Sequence, residues 1–143
     1  MIFKNFENTI RFIQGPQQDA PWFPIVQVTL ITPQGKRIDL PLLFDTGANI
    51  TTLSHQLYQM FGLQSWNQGT PVTIGTAGGL KTAYRYTVSF ELFNKVIDTP
   101  ILLVDTLSIH PLYCGVIGRD TFFAEFGFGF WENQHELYVT ANP

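Results

Sequence analysis

Apolar residues recur at every second position in short runs along most of the chain, and turn-forming residues interrupt these runs at close spacing, which predicts strands joined by tight turns. Ile25, Val26, Val28, Leu30 and Ile31 precede the turn Pro33-Gln34-Gly35-Lys36, after which Ile38, Leu40, Leu42 and Phe44 complete a hairpin that ends at Asp45. A second hairpin is expected from Val72-Thr73-Ile74 through the glycine-rich tip Gly75-Thr76-Ala77-Gly78-Gly79 into residues 80–92. The chain then turns at Phe93-Asn94-Lys95 and returns through residues 96–104. Val116-Ile117-Gly118-Arg119-Asp120 is expected to be a buried strand stopping at a glycine, and residues 128–131 and 136–140 a last hairpin about Glu132-Asn133-Gln134. Helical signals are confined to two places. Ser54 is placed to cap a short helix carrying Leu57, Tyr58, Met60 and Phe61, with Gly62 ending it in a left-handed conformation, and residues 121–126 have room for a turn or two. The pattern is that of an all-β barrel or sandwich with one or two short helices. Before it, residues 1–24 contain the loop-like Gln14-Gly15-Pro16-Gln17-Gln18-Asp19-Ala20-Pro21 and are expected to form an arm attached to a single domain over residues 25–143.

Length and composition narrow the class. At 143 residues, 45% hydrophobic and 13% charged, the chain has enough apolar material for one packed core. Thirteen phenylalanines are many for this length and leave apolar surface for a partner or a ligand. A net charge of −3, with eight Lys plus Arg and no basic cluster, argues against nucleic acid as a partner. No segment has the length and apolar character of a membrane span, and the first eight residues lack the apolar run of a leader. Cys114 is the single cysteine, so an internal disulfide is impossible and a reducing, cytoplasmic setting is expected.

The candidate chemistry sits in Leu42-Leu43-Phe44-Asp45-Thr46-Gly47-Ala48, an apolar run that ends in a carboxylate, a hydroxyl and a glycine. Alone, Asp-Thr-Gly is a weak motif that an ordinary Asx-type turn at a strand end would also explain. Two further segments accompany it, the glycine-rich hairpin tip and the apolar-apolar-Gly-Arg strand end. His55, His110 and His135 are far apart and lack metal-ligand spacing, so no metal site is expected. The Asp-Thr pairs at Asp98, Asp105 and Asp120 lack the following glycine and are expected to be turns and caps.

In these three segments the chain resembles the retropepsin family, the single-lobe aspartic proteases of retroviruses and their cellular and bacterial relatives. Phe44-Asp45-Thr46-Gly47-Ala48 is similar to the active-site loop, Ile74-Gly75-Thr76-Ala77-Gly78-Gly79 to the flap tip, and Val116-Ile117-Gly118-Arg119-Asp120 to the segment beneath the loop. The likeness spans roughly residues 25–140, and the last hairpin is more like the bacterial and cellular members. The fold implied is the closed acid-protease barrel, as a single lobe. The activity implied is endopeptidase cleavage of extended polypeptides by two aspartates. A chain with one Asp-Thr-Gly then needs a second copy of itself, a homodimer in which the paired Asp45 carboxylates hold one proton between them. The aspartic-protease dyad is a standard worked case of this behaviour. One carboxylate activates water and the other protonates the carbonyl, with neither metal nor cofactor.

By the same resemblance Thr46 ties the two loops across the axis and Gly47 allows close backbone approach. Ala48, Asn49, Gly75, Thr76, Ala77, Gly78 and Gly79 contact the peptide, with Cys114 and Val116 as pocket or core positions. Gly118, Arg119 and Asp120 support the loop, Arg119 through the position occupied here by Asn49, an acceptor that forms no ion pair. The alternatives are a catalytically inactive module of the same fold that binds peptides or assembles, and a barrel for a small apolar ligand.

Overall fold

The computed structural model describes residues 6–107 and 109–143. Residues 1–5 of the expected arm lie outside the described residues. Among the described residues, twelve strands and one short α-helix follow one another as β1 (Asn8–Arg11), β2 (Ile13–Gln14), β3 (Trp22–Phe23), β4 (Ile25–Ile31), β5 (Arg37–Phe44), β6 (Thr51–Ser54), β7 (Thr70–Thr76), β8 (Gly79–Leu92), β9 (Lys95–Val104), β10 (Gly115–Ile117), α1 (Phe122–Glu125), β11 (Phe126–Trp131) and β12 (Glu136–Ala141). Two 3-10 turns complete the set, His55–Phe61 and Glu132–Gln134.

The main sheet runs β4-β5-β10-β6-β9-β8-β7, and a further pairing of Leu30 with Phe90 joins β4 to β8, so the sheet curls back upon itself. This is the expected all-β lobe. Alternation decides its inside: Val26, Val28 and Leu30 on β4 face Leu42, Leu40 and Ile38 on β5, and the first five of these six are buried. Phe90, Leu53, Ile101, Leu103 and Ile117 complete the core from the other strands. The expected hairpins all form. Phe93 and Asn94, at φ 47° and 63°, make the two-residue turn between β8 and β9. Ser54 accepts a hydrogen bond from the Gln56 N–H and Gly62 closes the turn at φ 73°, as the caps predict, although the segment winds as a 3-10 helix.

The placement of two strands, β1 and β6, was not evident in the pattern. β1 pairs antiparallel with β12 in a second sheet, β1-β12-β11, and Phe12, immediately after it, is buried in the main core. The described part of the expected arm is therefore fastened to the domain. β6 lies between β9, with which it runs parallel, and β10. Because β10 also runs parallel to β5, the carboxyl ends of β5 and β10 finish side by side, and this juxtaposition builds the site.

Candidate active site

β5 ends at Phe44, whose ring packs against Phe123, Phe128 and Phe130 at 4.5–5.3 Å between centroids. That aromatic anchor fixes the strand end, and the next residue, Asp45, leaves the sheet half-buried. Its N–H donates to the Ile117 carbonyl at 3.2 Å, which ties the aspartate to β10. Its Oδ1 accepts the Gly47 N–H at 2.9 Å, and the Ala48 N–H donates to the Asp45 carbonyl at 3.3 Å, so the loop doubles back around the carboxylate. Thr46, Gly47 and Asn49 are exposed and Ala48 is half-buried.

The strand end after β10 braces this loop from below. The Arg119 N–H donates to the Ala48 carbonyl at 2.9 Å and the Asp120 N–H to the Asn49 carbonyl at 2.7 Å. Gly118 lies against backbone: a β-carbon there would stand 2.3 Å from the Ile50 carbonyl carbon and 2.6 Å from the Thr51 nitrogen. Only a residue without a side chain fits. The Arg119 guanidinium donates to the Asn49 Oδ1 at 3.3 Å, so the cation meets a neutral acceptor. The Asp120 carboxylate accepts from the Thr121 hydroxyl, and its backbone carbonyl is 3.4 Å from the hydroxyl of Thr99.

Two threonines matter in ways the sequence reading missed: Thr51 was not singled out, and Thr99, expected with Asp98 to form a turn or cap, lies within β9. Fully buried Thr51 accepts the Gly118 N–H at 3.1 Å, and Thr99, equally buried, reaches the Asp120 carbonyl. Nothing in the sequence singles them out, since Thr51 opens the hydroxyl-rich Thr-Thr-Leu-Ser and Thr99 follows Asp98; their burial, and the partners a buried polar group requires, are visible only in the structure.

The glycine-rich tip lies elsewhere, at the end of the β7–β8 hairpin. Thr76 organises it, its hydroxyl donating to the Gly79 carbonyl at 2.8 Å and accepting the Gly78 N–H at 3.2 Å. Gly79 adopts φ 106°, a value that favours glycine, while Gly75, Ala77 and Gly78 are exposed. Val116 is half-buried on β10. Cys114, a candidate pocket residue, belongs to the core: it is 6% exposed, with Sγ 3.5 Å from the Pro41 carbonyl, and burial pushes its thiol up to about 11. The three histidines occupy separate aromatic contacts, His55 with Trp66, His110 with Tyr113 and His135 with Trp22.

A strand-end aspartate in a braced Asp-Thr-Gly loop coincides with the match of the aspartyl protease family model to residues 26–121, two thirds of the chain. The chain belongs to the aspartyl protease family. Its fold is similar to that of a retropepsin-like aspartic protease from Rickettsia conorii, with a TM-score of 0.63 at 17% identity over 97% of this chain and 96% of the other. It is also similar to the EIAV protease, solved with the inhibitor HBY-793, with a TM-score of 0.50 at 23% identity over 68% of this chain and 82% of that one. No curated protein matches by sequence. This aspartyl protease relative thus shares nearly all of its length with the bacterial fold and a shorter part with the viral one.

Proposed function

We propose that the chain is an aspartic endopeptidase that acts as a homodimer, two Asp45 carboxylates meeting across a twofold axis to hydrolyse peptide bonds in extended polypeptides. The observation that carries this reading is the loop itself, with Asp45 at a strand end, its carboxylate steadied by the Gly47 N–H and its backbone braced by residues 118–120. In that site the ionised aspartate takes a proton from water as the water oxygen attacks the scissile carbonyl, and the protonated one donates to the carbonyl oxygen. Collapse of the tetrahedral species breaks the C–N bond, with a proton passing to the leaving nitrogen. Thr46 and Gly47 serve the loop-to-loop contact, and the β7–β8 hairpin serves as a flap over the peptide. The chemistry calls for neither metal nor cofactor. A cytoplasmic setting accords with the buried free thiol of Cys114, and no helix among the described residues is long and apolar enough to cross a membrane.

Support for the dimer comes from β11. It is an end strand of its sheet, it reads Phe-Gly-Phe-Gly-Phe-Trp without charge or proline, and Phe130 and Trp131 are exposed. The Asn142 N–H donates to the Glu125 carbonyl, so alternation along the ladder turns the backbone groups of Phe128 and Phe130 toward the unpaired edge, while the Phe126 N–H is taken by the Phe122 carbonyl. An apolar edge with free donors invites another chain, and Phe44 makes it continuous with the active loop.

Asp45→Asn tests the reading. An amide cannot share the proton, so cleavage of a peptide library read by mass spectrometry is expected to vanish while circular dichroism and melting stay unchanged. Undiminished cleavage by the variant would remove Asp45 from the mechanism.

A further inference from the structure

The β7–β8 hairpin has two faces, and the register decides which is turned toward the active loop. Residues directly opposite in an antiparallel ladder share a face, so Val72 with Ala83 and Ile74 with Lys81 lie on one side, and Thr73 with Thr82 and Gly75 with Leu80 on the other. The first side is the inner one. Ala83 is buried with Leu102 and Val104, and Val72, Ile74 and Ile50 pack against that group. Ile50 directly follows the loop that carries Asp45. Arg85, opposite Leu102, continues the same face by strand alternation.

The charge on this face is uniform. Between Thr70 and Tyr86 the charged residues are Lys81 and Arg85 alone, both exposed and both on the inner side. Among the described residues the salt bridges are Arg37 with Glu91 and Lys95 with Glu125, so neither hairpin cation is engaged in one. In a chain of net charge −3 this is a local reversal of sign beside the loop.

We propose that Lys81, with Arg85 behind it, selects acidic side chains in the substrate, so that the preferred polypeptides carry Glu or Asp close to the bond cut. The inference rests on the endopeptidase reading above. An extended peptide bound beneath the hairpin points alternate side chains at its inner face. There a carboxylate gains a charge-assisted bond to the ammonium, which its amide counterpart lacks. Lys81 is two residues from Gly79 in the glycine-rich tip and has a long, flexible stem, so its ammonium can follow the peptide.

The test uses pairs of fluorogenic peptides, built on a sequence cleaved from the library, that differ only by Glu or Gln at the second residue on either side of the cut. For the wild-type protein kcat/KM is expected to favour the Glu peptide by about fivefold at low salt at one or both positions, with the preference shrinking as salt rises. Lys81→Gln is expected to bring the ratio close to one, and Lys81→Glu to reverse it; Arg85→Gln is expected to reduce it partially. A wild-type ratio of one, or a preference that survives Lys81→Glu, with cleavage still abolished by Asp45→Asn, would overturn this inference and leave the endopeptidase reading intact. Absence of any Asp45-dependent cleavage would overturn both.

Discussion

The Asp45 loop and the tip of the β7–β8 hairpin are both glycine-containing turns at strand ends, yet they are held in opposite ways. The loop is bonded through its backbone to a second, distant segment, by Arg119 N–H to Ala48 and Asp120 N–H to Asn49, and Gly118 is pressed against it with no space for a methyl group. The tip is bonded mainly to itself through Thr76, a β-carbon at Gly75 would meet nothing within 4 Å, and Leu80 beside it is 78% exposed. In the proposed reading Asp45 is a reacting carboxylate that must be positioned to a fraction of an ångström, and backbone bonds to a distant segment of the same chain serve that need. In the same reading the hairpin admits a long polypeptide and must open cheaply, which little buried contact at its end favours.

Substitutions can break or sharpen this contrast. The largest effect is expected at Gly118→Ala, whose new methyl would collide with backbone at Ile50 and Thr51. A loss of about 3 kcal/mol or more, read as a lowered denaturation midpoint, is expected from this overpacking against atoms that cannot rotate away. Next comes Cys114, in the layer below the loop, where it donates its N–H to the Pro41 carbonyl and accepts from the Ser54 N–H. Its thiol titrates at about 11 when folded against an ordinary value of 9.0, so its contribution is complete below that ordinary value and is lost as the pH rises toward 11. The wild type is expected to lose about 2 kcal/mol more than Cys114→Ala between pH 8 and pH 11 in parallel denaturant titrations. The smallest effect is expected at the tip. Gly78→Ala meets only the Thr76 hydroxyl at 3.8 Å, and its stability should change by less than about 1 kcal/mol, in the stabilising direction. A Gly78→Ala loss as large as that of Gly118→Ala would erase the distinction between a braced loop and a free tip.

Local signals in the sequence were enough for most of what depends on neighbours in the chain, the turn expected at Asp98-Thr99 being an exception that lies within β9. Alternation set the hairpins at residues 25–44 and 72–104, Ser54 and Gly62 bounded the 3-10 turn, and the three motif segments located the site. Non-local pairing was where the pattern failed. Thr51–Ser54 is a strand because β9 and β10 flank it on either side, and its four residues are too few to carry a periodicity that announces it. Asn8–Arg11 alternates weakly, and its strand exists because β12 offers it an edge. At the site the same division holds. Asp45 and Gly118 were legible because their residue types are dictated by chemistry and space, whereas Thr51 and Thr99 brace the loop through hydroxyls that any strand threonine could carry. The Arg119 contact with Asn49 was predictable as a pairing of positions, and the structure supplies its form, a single bond to an amide oxygen.

The central claim is that one site is made from two chains. Active protein mixed with a tenfold excess of Asp45→Asn, and left until labelled subunits have exchanged, tests it most directly. Random pairing leaves about one tenth of the active subunits with an active partner, so cleavage per wild-type subunit is predicted to fall to about a tenth of its starting value. Cleavage that persists undiminished after full exchange would mean that a single chain suffices, and would contradict the account.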